Sequence, residues 1–134
     1  MSEQPGETSR LRVNGIGGFF FVAADPEMLS AWYEEHLGIN PVPTSYDAEV
    51  WLQTAGPTVL APFPSEAAAS DMFGPSGWGI NFRIDDLDAF AAQLQASDIA
   101  VTVDPEMYPN GRFAQLADPE GNAIQLWQPL DPTG

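Results

Sequence analysis

The sequence predicts an α+β fold of two tandem βαβββ modules, whose strands form a curved mixed sheet around a cleft. Three observations predict it. First, the chain repeats itself: Gly18 falls on Gly79, Phe21 on Phe82, Asp25 on Asp86 and Leu29 on Phe90 at one constant offset. Val59 on Ile124, Leu60 on Gln125 and Pro64 on Pro129 follow at a slightly longer one. Second, each half reads as strand, helix and three strands, and a repeat at that spacing outweighs any single local assignment. Third, residues 113–129 form two short apolar runs around Asp118-Pro119-Glu120-Gly121-Asn122. Asp opens a type I turn, Pro presets φ, and Gly takes the positive φ that closes it. One helix covers one sheet face in each half, so the two uncovered faces meet and enclose the cleft.

The elements follow in order. Residues 1–12 read as a flexible lead, and residues 13–134 as one domain with modules at 13–64 and 77–129. Residues 13–24, with IGGFFFVAA at their heart, have the aromatic and β-branched content of a strand buried on both faces. Asp25-Pro26 starts a helix, with Asp as N-cap and Pro in the first turn. Leu29, Trp32, Tyr33 and Leu37 make its apolar stripe, and Gly38 ends it. Residues 49–54 and 57–62 read as strands joined by a tight turn at Ala55-Gly56. Residues 64–77, punctuated by Pro and Gly, read as the linker, with one helical turn at 66–71. Residues 79–84 are the next strand, and Asp85 and Asp86 lead into a helix with Leu87, Phe90, Ala91 and Leu94 on its apolar face. A strand at 100–103, a loop at 104–110 and the closing hairpin complete the second half.

Composition narrows the function. A chain of 134 residues, 44% of them hydrophobic, is long enough to build a core without staples, and without cysteine it has no disulfide or thiolate metal site. The formal net charge of −15, from 19 acids against four arginines, opposes phosphate backbones and anionic membrane surfaces, so neither nucleic acid nor membrane is an expected partner. The opening MSEQPGETSR lacks the layout of a signal peptide, and no apolar run approaches the roughly 20 residues of a membrane span, so a cytoplasmic location is expected. No Gly-x-Ser-x-Gly, phosphate-cradling glycine loop or Cys/His nucleophile arrangement occurs. The single histidine, His36, lies at the C-terminal end of the first helix, where a cation complements the helix dipole.

Three stretches, FFFVAADPEMLSAWYEEHLGI, INFRIDDLDAFAAQL and DPEGNAIQLWQP, carry a resemblance to the vicinal oxygen chelate superfamily. It groups glyoxalase I, bleomycin-resistance proteins and extradiol dioxygenases. The resemblance spans residues 13–129. It implies a cleft in which the enzymes hold a divalent metal through His, Glu or Gln on the first and last strands of each half. Carried over by the repeat, those positions are Gly18, Leu60, Gly79 and Gln125. Two glycines and a leucine bring no side-chain donor, so neither a metal nor another cofactor is expected. The resemblance also implies a homodimer, by packing or by exchange of halves.

Strand alternation sorts the cleft lining. If Gly79 faces the cleft, so do Asn81 and Arg83, while Ile80, Phe82 and Ile84 pack under the helix. Phe20 faces it in the first half, and Gln125 and Trp127 share a face of the last strand. Phe20, Asn81, Arg83, Arg112, Gln125 and Trp127 are therefore the candidate ligand-binding residues, a mostly apolar lining with few polar points. The expected function is binding of a small, largely apolar organic molecule, by sequestering it or sensing it. The alternative is a glyoxalase-like lyase or isomerase, or a dioxygenase. It would either act without metal or recruit other ligands such as Glu49 or Tyr108 beside Gln125.

Overall fold

The computed structural model describes residues 10–65 and 73–130. Its elements are helix α1 (Pro26–Leu37), a short 3-10 turn (Gly74–Ser76), β1 (Ile80–Arg83), α2 (Leu87–Ala96), β2 (Thr102–Val103), β3 (Gly111–Ala117) and β4 (Ala123–Pro129). The strands form one mixed sheet in the order β1-β4-β3-β2, which is not closed. β1 runs parallel to β4, and β3 pairs antiparallel with both β2 and β4. The α+β class stands.

The helix signals act as read. Asp25 accepts from the Met28 N–H at 3.2 Å, Pro26 occupies the first turn, and Gly38 closes α1 with φ 74°. Asp86 caps α2 through the Ala89 N–H at 3.1 Å, and the Gln128 Oε1 on β4 accepts from the Leu87 N–H at 2.7 Å. A helix start and the sheet beneath it are thus joined by a side chain that no local signal announces.

Leu87 and Leu94 of α2 meet Ala114, Leu116, Ile124 and Leu126 of the hairpin in the core, all fully or nearly fully buried. Trp32, Tyr33 and Leu37 of α1 pack against the same cluster. The helix of the first half is therefore part of the core of the second.

The closing turn makes that attachment polar as well. The Gly121 N–H donates to the Asp118 carbonyl at 2.9 Å, and Gly121 takes φ 85°, as a type I turn with a following glycine requires. The Asp118 carboxylate is buried and accepts four bonds: from the Tyr33 hydroxyl (2.7 Å), Asn122 Nδ2 (2.8 Å) and the N–H groups of Glu120 (2.9 Å) and Asn122 (3.0 Å). The Glu120 carboxylate takes the N–H groups of Ala24 and Asp25 at 2.7 and 2.8 Å, just ahead of α1. Burial, and then the bond to Asp118, push the Tyr33 hydroxyl far above the usual tyrosine range.

The first half departs from expectation. Residues 13–24, 49–54 and 57–62 have no assigned strand, and the segment read as buried on both faces is open: Val13 is 92%, Phe20 92% and Val22 94% exposed. Their contacts are sparse, with Gln53 Nε2 donating to the Ile16 carbonyl at 3.3 Å and Phe19 and Phe21 ringing Trp78 at 5.2 and 5.4 Å. Strand-forming side chains make a strand only when a neighbouring chain takes up the N–H and C=O groups. Within this single chain no such ladder forms for these segments. In the second half, the strand expected at 100–103 is the shorter β2. The helical turn expected at 66–71 lies outside the described residues, as do residues 1–9 of the lead.

Candidate ligand-binding site

The sheet has one helix-covered face and one open face. Ile80, Phe82, Val103, Ala114, Leu116, Ile124 and Leu126 point to the helices. The period of two then sets Asn81, Arg83, Thr102, Phe113, Gln115, Gln125 and Trp127 on the other face.

Register aligns these residues in two rows. Asn81 pairs with Gln125, Gln125 with Gln115, and Gln115 with Thr102, so one polar row crosses all four strands. Asn81 Nδ2 donates to Gln125 Oε1 at 2.7 Å, which leaves the Gln125 amide N–H groups unspent. The neighbouring row runs from Arg83 to Trp127 to Phe113. The Phe113 and Trp127 rings are nearly parallel, 5° apart with centroids at 6.3 Å, and Tyr108 meets Phe113 edge-on at 5.9 Å.

Trp127 is a fixed wall of this face. It is 9% exposed, and its indole N–H donates to the Asn110 carbonyl at 2.8 Å. Gly111 closes the loop beneath it with φ 128°, where an added Cβ would run into the Gln128 carbonyl. Tyr108 donates to Asp104 at 2.7 Å, and the Glu106 N–H donates to the same carboxylate at 3.0 Å. The Glu106 N–H and then the Tyr108 hydroxyl hold the Asp104 carboxyl below the ordinary range.

Arg83 is half-buried and has no carboxylate within ion-pair distance among the described residues. Its guanidinium lies so close to the backbone of Gly56 that a Cβ there would collide with it. The chain at Gly56, where no tight turn is assigned despite the expectation, therefore reaches the edge of the open face. Arg112 behaves differently. It lies on the helix side and pairs with Asp88 at 2.9 Å, and that bond holds the Asp88 carboxyl below its ordinary range.

The structure thus gathers Asn81, Arg83, Gln125 and Trp127 on one face, and leaves Arg112 on the opposite one. Phe20, the remaining candidate of the cleft lining, is 92% exposed. Sequence reasoning passed over Phe113, Gln115 and Thr102, although the alternation of Phe113 and Gln115 with Ala114 and Leu116 carried the signal. His36 sits in the last turn of α1 beside Trp32, with Glu35 3.7 Å away.

Of the four positions expected from the repeat to match metal ligands, Gly18, Leu60, Gly79 and Gln125, only Gln125 carries a side-chain donor. Leu60 is 89% exposed and has no donor, and a Cβ on Gly18 would lie 2.9 Å from the Phe20 ring. A Cβ on Gly79 would collide with the Phe73 ring, and Gln125 Oε1 already accepts from Asn81. Among the described residues, no three His, Cys, Asp or Glu side chains are grouped to hold a metal.

The family model described as Glyoxalase/Bleomycin resistance protein/Dioxygenase superfamily matches residues 15–126. TnmS3, an antibiotic binding protein from Streptomyces sp. CB03234, is 30% identical; the match covers 90% of this chain and 99% of TnmS3, with a TM-score of 0.59. A glyoxalase/bleomycin resistance protein from the same strain is 46% identical, over 37% of this chain and 43% of its own, with a TM-score of 0.34. CFP32 of Mycobacterium tuberculosis and Mycobacterium bovis, whose name ascribes it to the glyoxylases, is 39% identical over 56 residues. That match takes in 41% of this chain and 22% of the length of CFP32.

Proposed function

The chain belongs to the glyoxalase/bleomycin resistance protein/dioxygenase superfamily, and from that premise we propose that it binds a small, largely apolar organic molecule on the open sheet face. The observation that carries this reading is the bond between Asn81 and Gln125 beside the Phe113–Trp127 wall. The one polar residue at a metal-ligand position is spent on a neighbouring amide, and together the two offer neutral hydrogen bonds next to aromatic surface. Such a lining suits an organic ligand. Likeness over nearly its whole length to TnmS3, an antibiotic binding protein, supports binding over turnover; sequestration or sensing of the ligand in the cytoplasm is part of the same proposal. The other metal ligands considered for an enzyme gain no support: Tyr108 is committed to Asp104, and Glu49 is exposed.

The active form on this reading is a homodimer. Val13, Phe20, Val22, Leu52, Val59 and Leu60 are all at least 72% exposed. The same first-half segments of a second copy are the fitting cover for such surface, pairing as strands across the interface, and they would supply the second wall of the cleft.

The test joins mass, metal and ligand. Sedimentation of the untagged protein is expected to give twice 14.5 kDa, and plasma mass spectrometry to give near-zero divalent metal after incubation with Mn, Ni, Zn and Fe(II). Tryptophan fluorescence is expected to report saturable binding of an aromatic probe such as hydroxybiphenyl, weakened by Gln125→Leu. One tightly held ion per chain would overturn the metal-free reading, and a mass near 14.5 kDa would overturn the dimer.

A further inference from the structure

We infer that Gln115 and Thr102 continue the line begun by Asn81 and Gln125, making the site selective for an elongated ligand whose neutral oxygens are spaced at the strand interval. The inference rests on the binding reading above and deepens it.

Four neutral groups stand in register across four strands: amide, amide, amide and hydroxyl. Neighbouring strands lie about 4.8 Å apart, so positions two strands apart, Asn81 with Gln115 or Gln125 with Thr102, are ~10 Å apart. The Gln115 side chain is half-buried and makes no hydrogen bond with any described residue, and the same is true of the exposed Thr102 hydroxyl. Both groups donate and accept. Gln125 accepts from Asn81, which leaves Asn81 Oδ1 and Gln125 Nε2 available at the other end. No titratable side chain interrupts the row. It therefore offers matched hydrogen bonds to phenol, quinone or amide oxygens arranged along one edge of a ligand, whose apolar body lies against Phe113 and Trp127.

Two probes separate this from a plain apolar site: biphenyl with a para hydroxyl on each ring, and biphenyl with one. The two oxygens of the diol are about two strand spacings apart, ~10 Å. The expected result is that wild type binds the diol roughly 3- to 10-fold more tightly than the monophenol, the worth of one neutral hydrogen bond. The two pairs use Gln115 and Thr102 respectively, so Gln115→Leu and Thr102→Val each lower that ratio and together bring it toward one, while Gln125→Leu weakens both probes. Thr102→Val is isosteric and exposed on an edge strand, so it carries the test should Gln115→Leu fail to fold. If the ratio survives both substitutions while Gln125→Leu still weakens both probes, the inference falls and the binding reading stands. If neither probe binds wild type, both fall.

Discussion

Tyr33→Phe is the sharpest probe of how the two halves are joined. The substitution removes one oxygen and leaves the ring, so packing against Phe82 and Trp32 is retained. What is lost is a 2.7 Å bond to the Asp118 carboxylate. Bonds to charged groups contribute about 1.5–3 kcal/mol. Three other donors still serve Asp118, so no orphaned charge is left and the low end applies, about 1.5 kcal/mol. For a chain of this length that lowers Tm by roughly 5 °C. Asp118→Ala is costlier, on the order of 3 kcal/mol, because it strips the partner from two turn N–H groups and the Tyr33 hydroxyl together. The assay is urea unfolding followed by circular dichroism at one fixed protein concentration, since association shifts apparent stability. In the Asp118→Ala background, Tyr33→Phe should cost almost nothing. A full cost in that background, or none in wild type, would refute the claim that this bond fastens α1 to the hairpin.

Other expectations follow from the same geometry. With the Tyr33 pKa raised in the folded state, the unfolded chain loses its proton from about pH 10 while the folded chain keeps it. Wild-type stability should therefore fall more steeply than that of Tyr33→Phe as pH rises above that point, in unfolding curves taken at stepped alkaline pH. Gly111→Ala forces a Cβ at positive φ against the Gln128 carbonyl and should cost about 2–3 kcal/mol in urea unfolding. Arg83→Gln should weaken an anionic aromatic probe such as anilinonaphthalene sulfonate, measured by fluorescence titration. Arg112→Gln should leave both that affinity and the midpoint of unfolding close to wild type, because its exposed pair with Asp88 faces the other way.

Both helices and the strands of the second half were largely legible in the sequence, for local reasons. Asp25-Pro26, Gly38 and the turn at 118–121 place their signals within a few residues, and the alternation in β1 and β4 sorts Asn81 and Gln125 from Ile80 and Ile124 correctly. Tertiary bonds were not legible. Glu120 looks like a turn residue, yet it holds two N–H groups ahead of α1; Gln128 looks like an outward polar residue, yet it caps α2. The first-half segments show the opposite failure. FFFVAA has the content of a buried strand, but content does not supply the neighbour that a ladder requires. Arg112 sits one residue from Phe113, and in a strand that single step reverses the face.

Helix α1 is covalently part of the first repeat and physically part of the second. The unit that the sequence pattern sets off and the unit that holds together therefore have different borders. A nick between the repeats would not yield two independent pieces: one would carry a helix without its floor, and the other a floor without its helix. Proteolytic fragments of this chain should stay associated through Tyr33, Asp118 and Glu120 after the backbone between the halves is cut, and two co-expressed halves should find each other by the same contacts.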